Sequence, residues 1–582
     1  MTSEQVKQGP PGDPPELTRR EHDVLVALCR PALEGDLFTE PASVRQIAEA
    51  LVVTDAAVKQ HLGNLYYKFE IGETGERRRV TLAKEAFRRG AISADELGAE
   101  SARLAALGGD SLRAGTEAFA RRDWDTAVEL LTAADLAGGL AAEDLERLAE
   151  AALWANRHEE SFAASQRAHQ EYIREGSRRR AAFVGLMLVI HYAVRLELAA
   201  AKGWLGKASR ILEAEPEGPE HGYLALVEAM FAETTADWDT VHGRGLEMHE
   251  IGCRYEDADL QALGLTFQGL VLTRRGEIAE GTRLLDEAMA SATGGELGML
   301  ATGIVYCRML GVCVDRYDYR RAGEWTDVVE TCRATNGMGG FPGDCRTHRA
   351  SVLLMRGAWA EGEQEALRAV EDLQAFNLPH IPLASYELGE IRLRQGDLDG
   401  AEEAFLRAHE LGLAPQPGMA LLRLARGESS AAAASIDTAL ADTSLDRLAR
   451  SRLLRAQVEI ALAVGDHASA SSAVAELEET AETFGIPALQ AAAEHARGEL
   501  ELAGGDAAEA ARRLASAQRL WHEVEAPYEA ARARERLAEA QLARGDRESG
   551  VLELRAACTA FERLGAKRDV ERGDRRMAEL AA

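Results

Sequence analysis

A motif that returns about every 40 residues constrains the fold of this chain more than any other feature of its sequence. In this motif a glycine or another helix-ending residue precedes an acidic residue, two or three variable residues and a small residue, as in GDLDGA, GDHASA and GDAAEA. The anchors taken at the last position are Ala127, Ser161, Ala201, Val241, Gly281, Ala322, Gly362, Ala401, Ala432, Ala470, Ala510 and Gly550. Successive anchors lie 31 to 41 residues apart. This period predicts a helical solenoid, in which each helix pair buries its apolar face against its neighbours.

The positions four and seven residues after each anchor support this prediction. They hold a large and then a small apolar residue in several repeats, for example Leu285 and Ala288. The pattern resembles the small-large-small packing of tetratricopeptide repeats. Ser165 and Gly245 stand where the large residue is expected, which predicts that the second and fourth repeats are remodelled. The charged tail AKRDVERGDRRMAELAA is expected to form an exposed end of the stack after the twelfth repeat.

Before the repeats, the segment Ser43 to Phe69 predicts two helices joined by a turn. Ser43 and Gln46 form a capping box that starts the first helix, and Thr54 is an N-cap for a second helix from Asp55 to about Phe69. Val58, Leu62, Leu65 and Phe69 recur at helical spacing and should pack inward. This leaves Lys59, Gln60, Gly63, Asn64 and Tyr67 on the outer face. The arrangement is that of a helix-turn-helix, whose second helix reads base edges in the major groove.

Each polar residue type on this segment suits one kind of DNA contact. Lysine and glutamine bind purine edges, histidine and lysine meet phosphates, and a helix N-terminus offers oriented N–H donors. The candidate DNA-binding residues are Thr54, Lys59, Gln60, His61, Gly63, Asn64, Lys68, Arg77, Arg78 and Arg79. The three adjacent arginines suit either a phosphate backbone or a solvated surface. An ordinary helical bundle with a solvated polar face is the alternative for the whole segment.

The segments LTRREHDVLVAL, SVRQIAEAL, TDAAVKQHLGNLYYKFEI and RVTLAKEAFRRGAI resemble the four helices of the LuxR-type, or GerE-like, DNA-binding domain, over roughly Leu17 to Ile92. The resemblance implies base contacts for Lys59, Gln60 and Gly63, and a dimer formed through the fourth helix. Two features depart from the family: a longer connection between Arg30 and Pro41, and a glycine at position 63 where a base contact is expected. The later repeats are similar to the helical-repeat region of actinobacterial LuxR-family regulators, which implies a sensory or protein-binding role.

These patterns predict an all-α protein, because aromatic residues make up only 5% of the chain and no alternating Val/Ile/Thr runs occur. We expect a disordered tail over 1–15 and a four-helix helix-turn-helix domain over 16–92. A linker over 93–112 then leads into a tetratricopeptide-like α-solenoid (superhelix) of about twelve helix pairs over 113–582.

The net charge of -29 opposes nucleic-acid binding only if it is spread over the whole chain. Between Glu16 and Gly90 the sequence holds twelve basic and twelve acidic residues, so the excess of acid lies almost entirely in the repeats. The repeats are therefore expected to have a solvated surface that repels DNA.

No catalytic or cofactor motif is found. The seven cysteines are an odd number without a CxxC pair, which is typical of reduced thiols in a cytoplasmic protein. Cys307, Cys332, Cys345 and His348 could in principle ligate zinc, but buried structural thiols are the favoured interpretation, so no metal is predicted. The apolar run from Ala181 to Val194 is too short to span a bilayer, so we expect no membrane association. A Walker A motif and a nucleophile with its base are also absent from the sequence, and we expect no enzymatic activity.

A basic and aromatic cluster stands out within the acidic repeats. It comprises Arg320, Arg321, Trp325, Phe341, Arg346, His348 and Arg349. Such a cluster suits an acidic peptide or a small anion on the repeat surface, and an ordinary inter-repeat contact network is the alternative.

The leading hypothesis is a cytoplasmic, homodimeric transcriptional regulator that binds double-stranded DNA through the helix-turn-helix. Its repeats would sense a ligand or protein partner or mediate assembly. The alternative is a protein-interaction scaffold in a signalling pathway, whose helix-turn-helix does not read DNA.

Overall fold

The computed structural model describes residues 14–15, 17–29, 41–51, 54–72, 77–93, 108–336, 344–442 and 445–581, and every element in these ranges is helical. The chain divides into two compact units, Met1–Arg174 and Glu175–Ala582. Most of the predicted tail and much of the predicted linker lie outside the described residues, and a helix already runs from 108, within the predicted linker. No helix in the described ranges is long and apolar enough to cross a membrane.

The first unit begins with four helices around one apolar core. They are α1 (Arg19–Cys29), α2 (Val44–Leu51), α3 (Asp55–Lys68) and α4 (Arg77–Arg88). Fully buried side chains from α1, α3 and α4 meet in this core, with Leu25, Leu65, Phe69 and Leu82 each at most 1% exposed. We call these four helices the head.

The predicted helix starts in the head are confirmed by their hydrogen bonds. The Ser43 N–H donates to Gln46 Oε1 at 2.8 Å, and the Gln46 N–H donates to Ser43 Oγ at 3.2 Å. The Thr54 hydroxyl accepts from the Ala57 N–H at 3.3 Å, so α3 begins at Asp55 as predicted. These caps satisfy backbone donors that have no partner inside the helix.

The buried face of α4 is formed by Leu82, Ala83 and Ala86. Val80 and Phe87 are only partly buried, and Phe87 packs against the same core. The helix starts at Arg77, and the small Ala86 one turn after Leu82 lets α4 pack closely against α1.

Four further helices complete the first unit as two antiparallel pairs. They are α5 (108–120), α6 (Trp124–Gly138), α7 (Ala142–Trp154) and α8 (His158–Glu175).

The second unit continues the same pairing through ten more repeats. The pairs are α9 (Arg178–Val194) with α10 (Leu198–Glu213), α11 (Pro219–Thr234) with α12 (Trp238–Tyr255), α13 (Ala258–Arg274) with α14 (Ile278–Gly294), α15 (Met299–Asp315) with α16 (Tyr319–Asn336), α17 (Asp344–Arg356) with α18 (Trp359–Phe376), α19 (Ile381–Gln395) with α20 (Leu398–Glu410), α21 (Gly418–Ala425) with α22 (Ser429–Leu440), α23 (Arg447–Val464) with α24 (His467–Phe484), α25 (Pro487–Ala503) with α26 (Ala507–Glu523), and α27 (Pro527–Ala543) with α28 (Arg547–Leu564). A short 3₁₀ turn, Leu378–His380, precedes α19. The charged tail forms a last helix, α29 (Lys567–Ala581), at the end of the stack.

The anchors fall at one fixed position of the helix pairs. Each anchor is the fourth residue of the second helix of its pair, and all twelve anchors are buried. A small side chain is needed there because the two helices of a pair approach closely. At Gly281, for example, a Cβ atom would lie 2.8 Å from the Gly269 carbonyl oxygen and 2.9 Å from the Thr273 nitrogen.

The glycine and aspartate of the motif form the turn between the paired helices. Gly465 and Gly545 have φ angles of +78° and +81°, a left-handed conformation that ends the first helix at little steric cost. The following aspartates are N-caps of the second helix: Asp466 accepts from the Ser469 N–H and Asp546 from the Ser549 N–H. A cap of this kind is worth about 1 kcal/mol.

The prediction that the second and fourth repeats are remodelled is wrong, because both are complete helix pairs. In the second repeat the anchor Ser161 donates its hydroxyl proton to the Ala149 carbonyl at 2.7 Å, which joins the two helices. In the fourth, Gly245 lies against α13, where its Cβ would be 3.3 Å from the Gly264 carbonyl oxygen. Close backbone packing there replaces the missing large side chain.

The repeat period does not predict that the second unit closes on itself. Arg274 of α13 forms an ion pair with Asp446 at 2.6 Å, although 172 residues separate them. The rings of Trp359 and Tyr528 meet edge to face at 5.3 Å, and α17 contacts α27. Repeats five to eight therefore pack against repeats ten to twelve, whereas an open solenoid has contacts between neighbouring repeats only.

Candidate functional site

The outer side of α3 is an exposed polar surface, which we call the α3 face. Lys59, Gln60, Gly63, Asn64 and Tyr67 are all exposed, and Tyr67 is 85% exposed. The opposite side of the same helix holds the buried Val58, Leu62 and Leu65. The core therefore fixes which residues of α3 point outward, and they are those that the sequence predicted. Their contact with DNA stays a prediction.

Gly63 leaves the centre of the α3 face open. Nothing lies within 4 Å of the Cβ that another residue would place there. The backbone of α3 can thus approach a ligand closely at this point, and any side chain introduced at position 63 has room.

Thr54 and His61 flank the α3 face and differ in their exposure and in the hydrogen bonds that their side chains already form. Thr54 is exposed, and its hydroxyl oxygen is already the acceptor of the helix cap. His61 is partly buried, and its Nδ1 has no hydrogen-bond partner among the described residues.

Lys68 has a structural partner inside the head. Its Nζ lies 2.6 Å from Oε2 of Glu21, whose side chain is 4% exposed. Burial alone would raise the pKa of Glu21, but the hydrogen bonds from Lys68 and Thr18 outweigh it and lower that pKa to about 2. Lys68 therefore joins the end of α3 to the start of α1, and a phosphate would have to compete with a buried carboxylate for it.

The three arginines at the start of α4 do not form one basic patch. The guanidinium of Arg78 lies over the Tyr66 ring at 4.2 Å and donates to the Ile71 carbonyl at 3.3 Å. Arg79 forms no hydrogen bond or ion pair within the described residues, whereas the side chain of Arg77 lies outside them. Arg79 is thus the member of the triplet whose described side chain is available to a phosphate.

The predicted ligand cluster of the repeats is divided among separate ion pairs. Arg321 Nη1 lies 2.6 Å from Asp286 Oδ2, and Trp325 Nε1 donates to the same carboxylate at 3.4 Å. Arg320 pairs with Glu324 of its own helix at 3.3 Å. These contacts join α14 to α16.

The second half of that cluster joins α17 to α18. Arg346 lies 2.9 Å from Glu365 and 2.8 Å from Asp372, and Arg349 lies 3.0 Å from Glu361. Burial lowers the pKa of His348 to about 4, and Phe341 lies outside the described residues. Arg321 thus joins two neighbouring repeats, the contact type that the sequence left as an alternative, whereas Arg346 and Arg349 join the two helices of the seventh repeat. An anion at these arginines would have to displace a carboxylate.

Two of the cysteines considered as metal ligands lie together. The Sγ atoms of Cys307 on α15 and Cys345 on α17 are 3.4 Å apart, whereas the side chain of Cys332 lies outside the described residues. Within the described part of the chain, no group of three or more His, Cys, Asp or Glu side chains is arranged to hold a metal ion.

Where the second unit closes, it encloses a charged cavity of about 350 Å³ that the sequence did not predict. Seven arginines, six carboxylates and four tyrosines line it, contributed by helices far apart in the chain. Glu529 of α27, 2% exposed, accepts a hydrogen bond from Arg455 of α23 and lies 3.6 Å from Arg394 of α19. Burial would raise the pKa of Glu529, but the arginines outweigh it and hold that pKa far below its usual range. We call this the inner cavity.

Two other carboxylates of the inner cavity are paired with arginines in the same way. Arg532 lies 2.6 Å from Glu459, and Arg572 lies 2.6 Å from Glu535. The sequence indicates these residues only in part. Charged residues stand at positions of the first helices of the pairs that apolar residues could equally fill. Their partners lie 73 and 37 residues away, on other helices of the stack.

Comparison with known proteins concerns the fold alone. No protein-family model and no curated protein sequence matches this chain. Among solved structures, the chain is similar to the APC/C hetero-tetramer Cut9–Hcn1, with 12% identity over 81% of this chain and 88% of that chain, and a TM-score of 0.41. It is also similar to yeast Tom70, with 12% identity over 82% of this chain and 97% of that chain, and a TM-score of 0.26. The tetratricopeptide-like architecture rests on the helix pairing of this chain itself.

Proposed function

We propose that this protein is a helical-repeat interaction scaffold, and that its head attaches the scaffold to double-stranded DNA. The α3 face carries the DNA part of the proposal. It places Lys59, Gln60 and Asn64 on one exposed side of a helix whose other side is anchored in the core. An α-helix fits the major groove of B-DNA, and these residue types match the donor and acceptor pattern of base edges.

The charge distribution supports this division of roles. Between Glu16 and Gly90, the range that includes the head, basic and acidic residues are equal in number, so nearly all of the net charge of -29 lies after Gly90. An acidic repeat region disfavours non-specific contact with phosphates and favours a basic partner surface. The repeats therefore suit protein binding, and DNA contact is restricted to the head.

A single short recognition helix supplies little affinity, so the DNA-bound form is expected to be a homodimer on two half-sites. In the LuxR-type domain that the head resembles, the helix corresponding to α4 forms the dimer. The repeats would then present two copies of their surface to a partner, or respond to one.

The test starts by mapping the genomic DNA bound by the intact chain, which supplies the duplex. Fluorescence anisotropy of that duplex then compares the full-length protein with Lys59→Ala, Gln60→Ala and the control Lys84→Ala. Lys84 is exposed on α4, so its replacement removes the same charge away from the α3 face. We expect Lys59→Ala and Gln60→Ala to weaken binding about 10- to 100-fold, because each base contact is worth about 1–3 kcal/mol. Lys84→Ala should have a smaller effect.

A scaffold whose head does not read DNA is the second candidate. It is favoured by the internal contacts of Lys68 and Arg78, and by the missing side chain at Gly63. If the full-length protein binds no duplex at low salt, this second candidate replaces the first. If Lys59→Ala and Lys84→Ala have equal effects, the head contacts DNA through charge alone and the proposed base contacts are wrong.

A further inference from the structure

The arginines of the inner cavity are not equivalent. Most of them contact carboxylates, as Arg455 does with Glu529 and Arg532 with Glu459. Arg452 and Arg568 form no ion pair with any carboxylate of the described residues. Their hydrogen bonds go to backbone carbonyl oxygens, from Arg452 Nη2 to Val314 at 2.8 Å and from Arg568 Nη2 to Ala425 at 2.7 Å.

Arg452 in particular forms no ion pair and few hydrogen bonds with the described residues. A guanidinium has five N–H donors, and the described protein atoms accept a hydrogen bond from one of its nitrogens. The guanidinium also lies 5.3 Å from the centre of the Tyr317 ring. The nearby carboxylate of Asp315 is already held by Arg274 at 3.0 Å. Burial outweighs the attraction of Arg452 and raises the pKa of Glu387 to about 7, so this second carboxyl is only partly ionised at neutral pH.

The surroundings of Arg452 suit an organic molecule. Tyr319 and Tyr386 line the inner cavity with it, and Leu354 and Leu421 contribute apolar lining. The volume of about 350 Å³ is within the usual range of small-molecule sites. Arg452 also borders a second, more apolar cavity of about 840 Å³, which includes Met419 and Leu448 and offers space for a larger ligand.

A partly buried guanidinium that forms no ion pair is a suitable partner for the anionic group of a ligand. We propose that the inner cavity binds a small organic anion, whose carboxylate or phosphate group lies against Arg452 and whose body packs among the tyrosines. The site goes beyond the proposed function, because it concerns a small molecule inside the repeats and is independent of DNA binding by the head.

The ligand can act on the repeats because of where Arg452 lies. It belongs to α23 in the tenth repeat, and its hydrogen bond reaches α15 in the sixth. An anion on Arg452 therefore binds at the contact between the two halves of the closed unit. It should stabilise the closed arrangement by mass action, since the cavity exists only when the unit is closed.

The test uses benzoate and phenyl phosphate as probes and benzyl alcohol as their neutral counterpart. Isothermal titration calorimetry and thermal unfolding are measured on the full-length protein, on Arg452→Met and on the control Arg555→Met. Arg555 is exposed on α28, so this control removes the same charge outside the cavity. The expected result is saturable binding of at least one anion to the native protein and to Arg555→Met, with a higher unfolding temperature. Binding to Arg452→Met should be at least about tenfold weaker.

The two anionic probes distinguish a carboxylate ligand from a phosphate ligand, and the neutral probe tests whether binding requires a negative charge. Binding of phenyl phosphate alone indicates a phosphate ester, and binding of benzoate alone indicates a carboxylate. The proposal is overturned if benzyl alcohol binds as well as the anions, if Arg452→Met binds them as the native protein does, or if neither anion binds at about 10 mM.

The stability of the ligand-free variant gives a further readout. Because Arg452 forms no ion pair with the described residues, Arg452→Met should unfold at the native temperature or above it. An unfolding temperature well below that of the native protein would show that Arg452 is a structural residue and would overturn the proposal. DNA binding by the same variants is measured separately, so a failure of the cavity proposal is distinct from a failure of the proposed DNA contact.

Discussion

Replacement of Glu529 by glutamine is the most direct perturbation of the closed second unit. Glu529 is 2% exposed and neutralises arginines from two other helices, Arg455 and Arg394. The variant keeps the size of the side chain but leaves both guanidinium groups enclosed without that counterion. Removing one partner of a buried ion pair usually costs about 3–5 kcal/mol. Since this carboxylate has two arginine partners, we expect a loss in the upper half of that range.

Hydrogen exchange followed by mass spectrometry is the suitable assay, because a long repeat array does not unfold in one step. Peptides from α27 and α23 should exchange about 10³-fold faster or more in Glu529→Gln, since each 1.4 kcal/mol of opening free energy is a factor of ten. The control Glu571→Gln removes an exposed carboxylate of α29 and should change the free energy by no more than about 0.5 kcal/mol.

A double variant checks the cause. Adding Arg455→Met to Glu529→Gln removes one of the two uncompensated charges, so it should recover part of the lost protection. The reasoning is refuted if Glu529→Gln exchanges like the native protein in α27 and α23. It is also refuted if the double variant is less stable by the full sum of the two single effects.

Two further predictions concern packing and pH. Gly264→Ala should destabilise the fourth and fifth repeats by about 1–3 kcal/mol, because its Cβ would lie 2.5 Å from the His249 backbone nitrogen. The control Gly203→Ala has nothing within 4 Å of its Cβ and should stabilise its helix by about 0.5–1 kcal/mol. Urea unfolding that shows the same sign of change for both variants would contradict this prediction. Burial lowers the pKa of His495 from about 6.5 to about 4. Between these two pH values the unfolded chain binds a proton at His495 that the folded chain does not, so the free energy of unfolding falls as the pH decreases from 6.5 to 4. The loss is about 3 kcal/mol at most. His495→Leu should remove this part of the pH dependence, and an unchanged slope in unfolding experiments between pH 4 and 6.5 would show that His495 is not its source.

Local signals in the sequence were sufficient for the head and for the repeat count. The capping box of Ser43 and Gln46, the cap at Thr54 and the buried stripe from Val58 to Phe69 all occur as predicted. These signals act within one or two helical turns, so the chain needs no distant contact to display them. The same holds for the twelve anchors, since each pairs a helix with its immediate neighbour in the chain.

Predictions from the sequence were less accurate where the role of a residue depends on its contacts with other helices. Gly245 was interpreted as a defect, whereas its lack of a side chain lets α13 approach α12 closely. Lys68 and Arg78 are of residue types that bind phosphates, yet they contact Glu21 and Tyr66 within the head. Residue type alone does not tell an available charge from one that is already paired.

By itself the sequence determined the helical class, the twelve pairs and the outward residues of α3, because periodicity and capping are properties of short segments. Only the tertiary structure decided that repeats five to eight meet repeats ten to twelve. That contact depends on the small rotation accumulated from repeat to repeat, which no single segment encodes. It brings Arg394, Arg455 and Glu529 together around the inner cavity and leaves Arg452 there without a carboxylate.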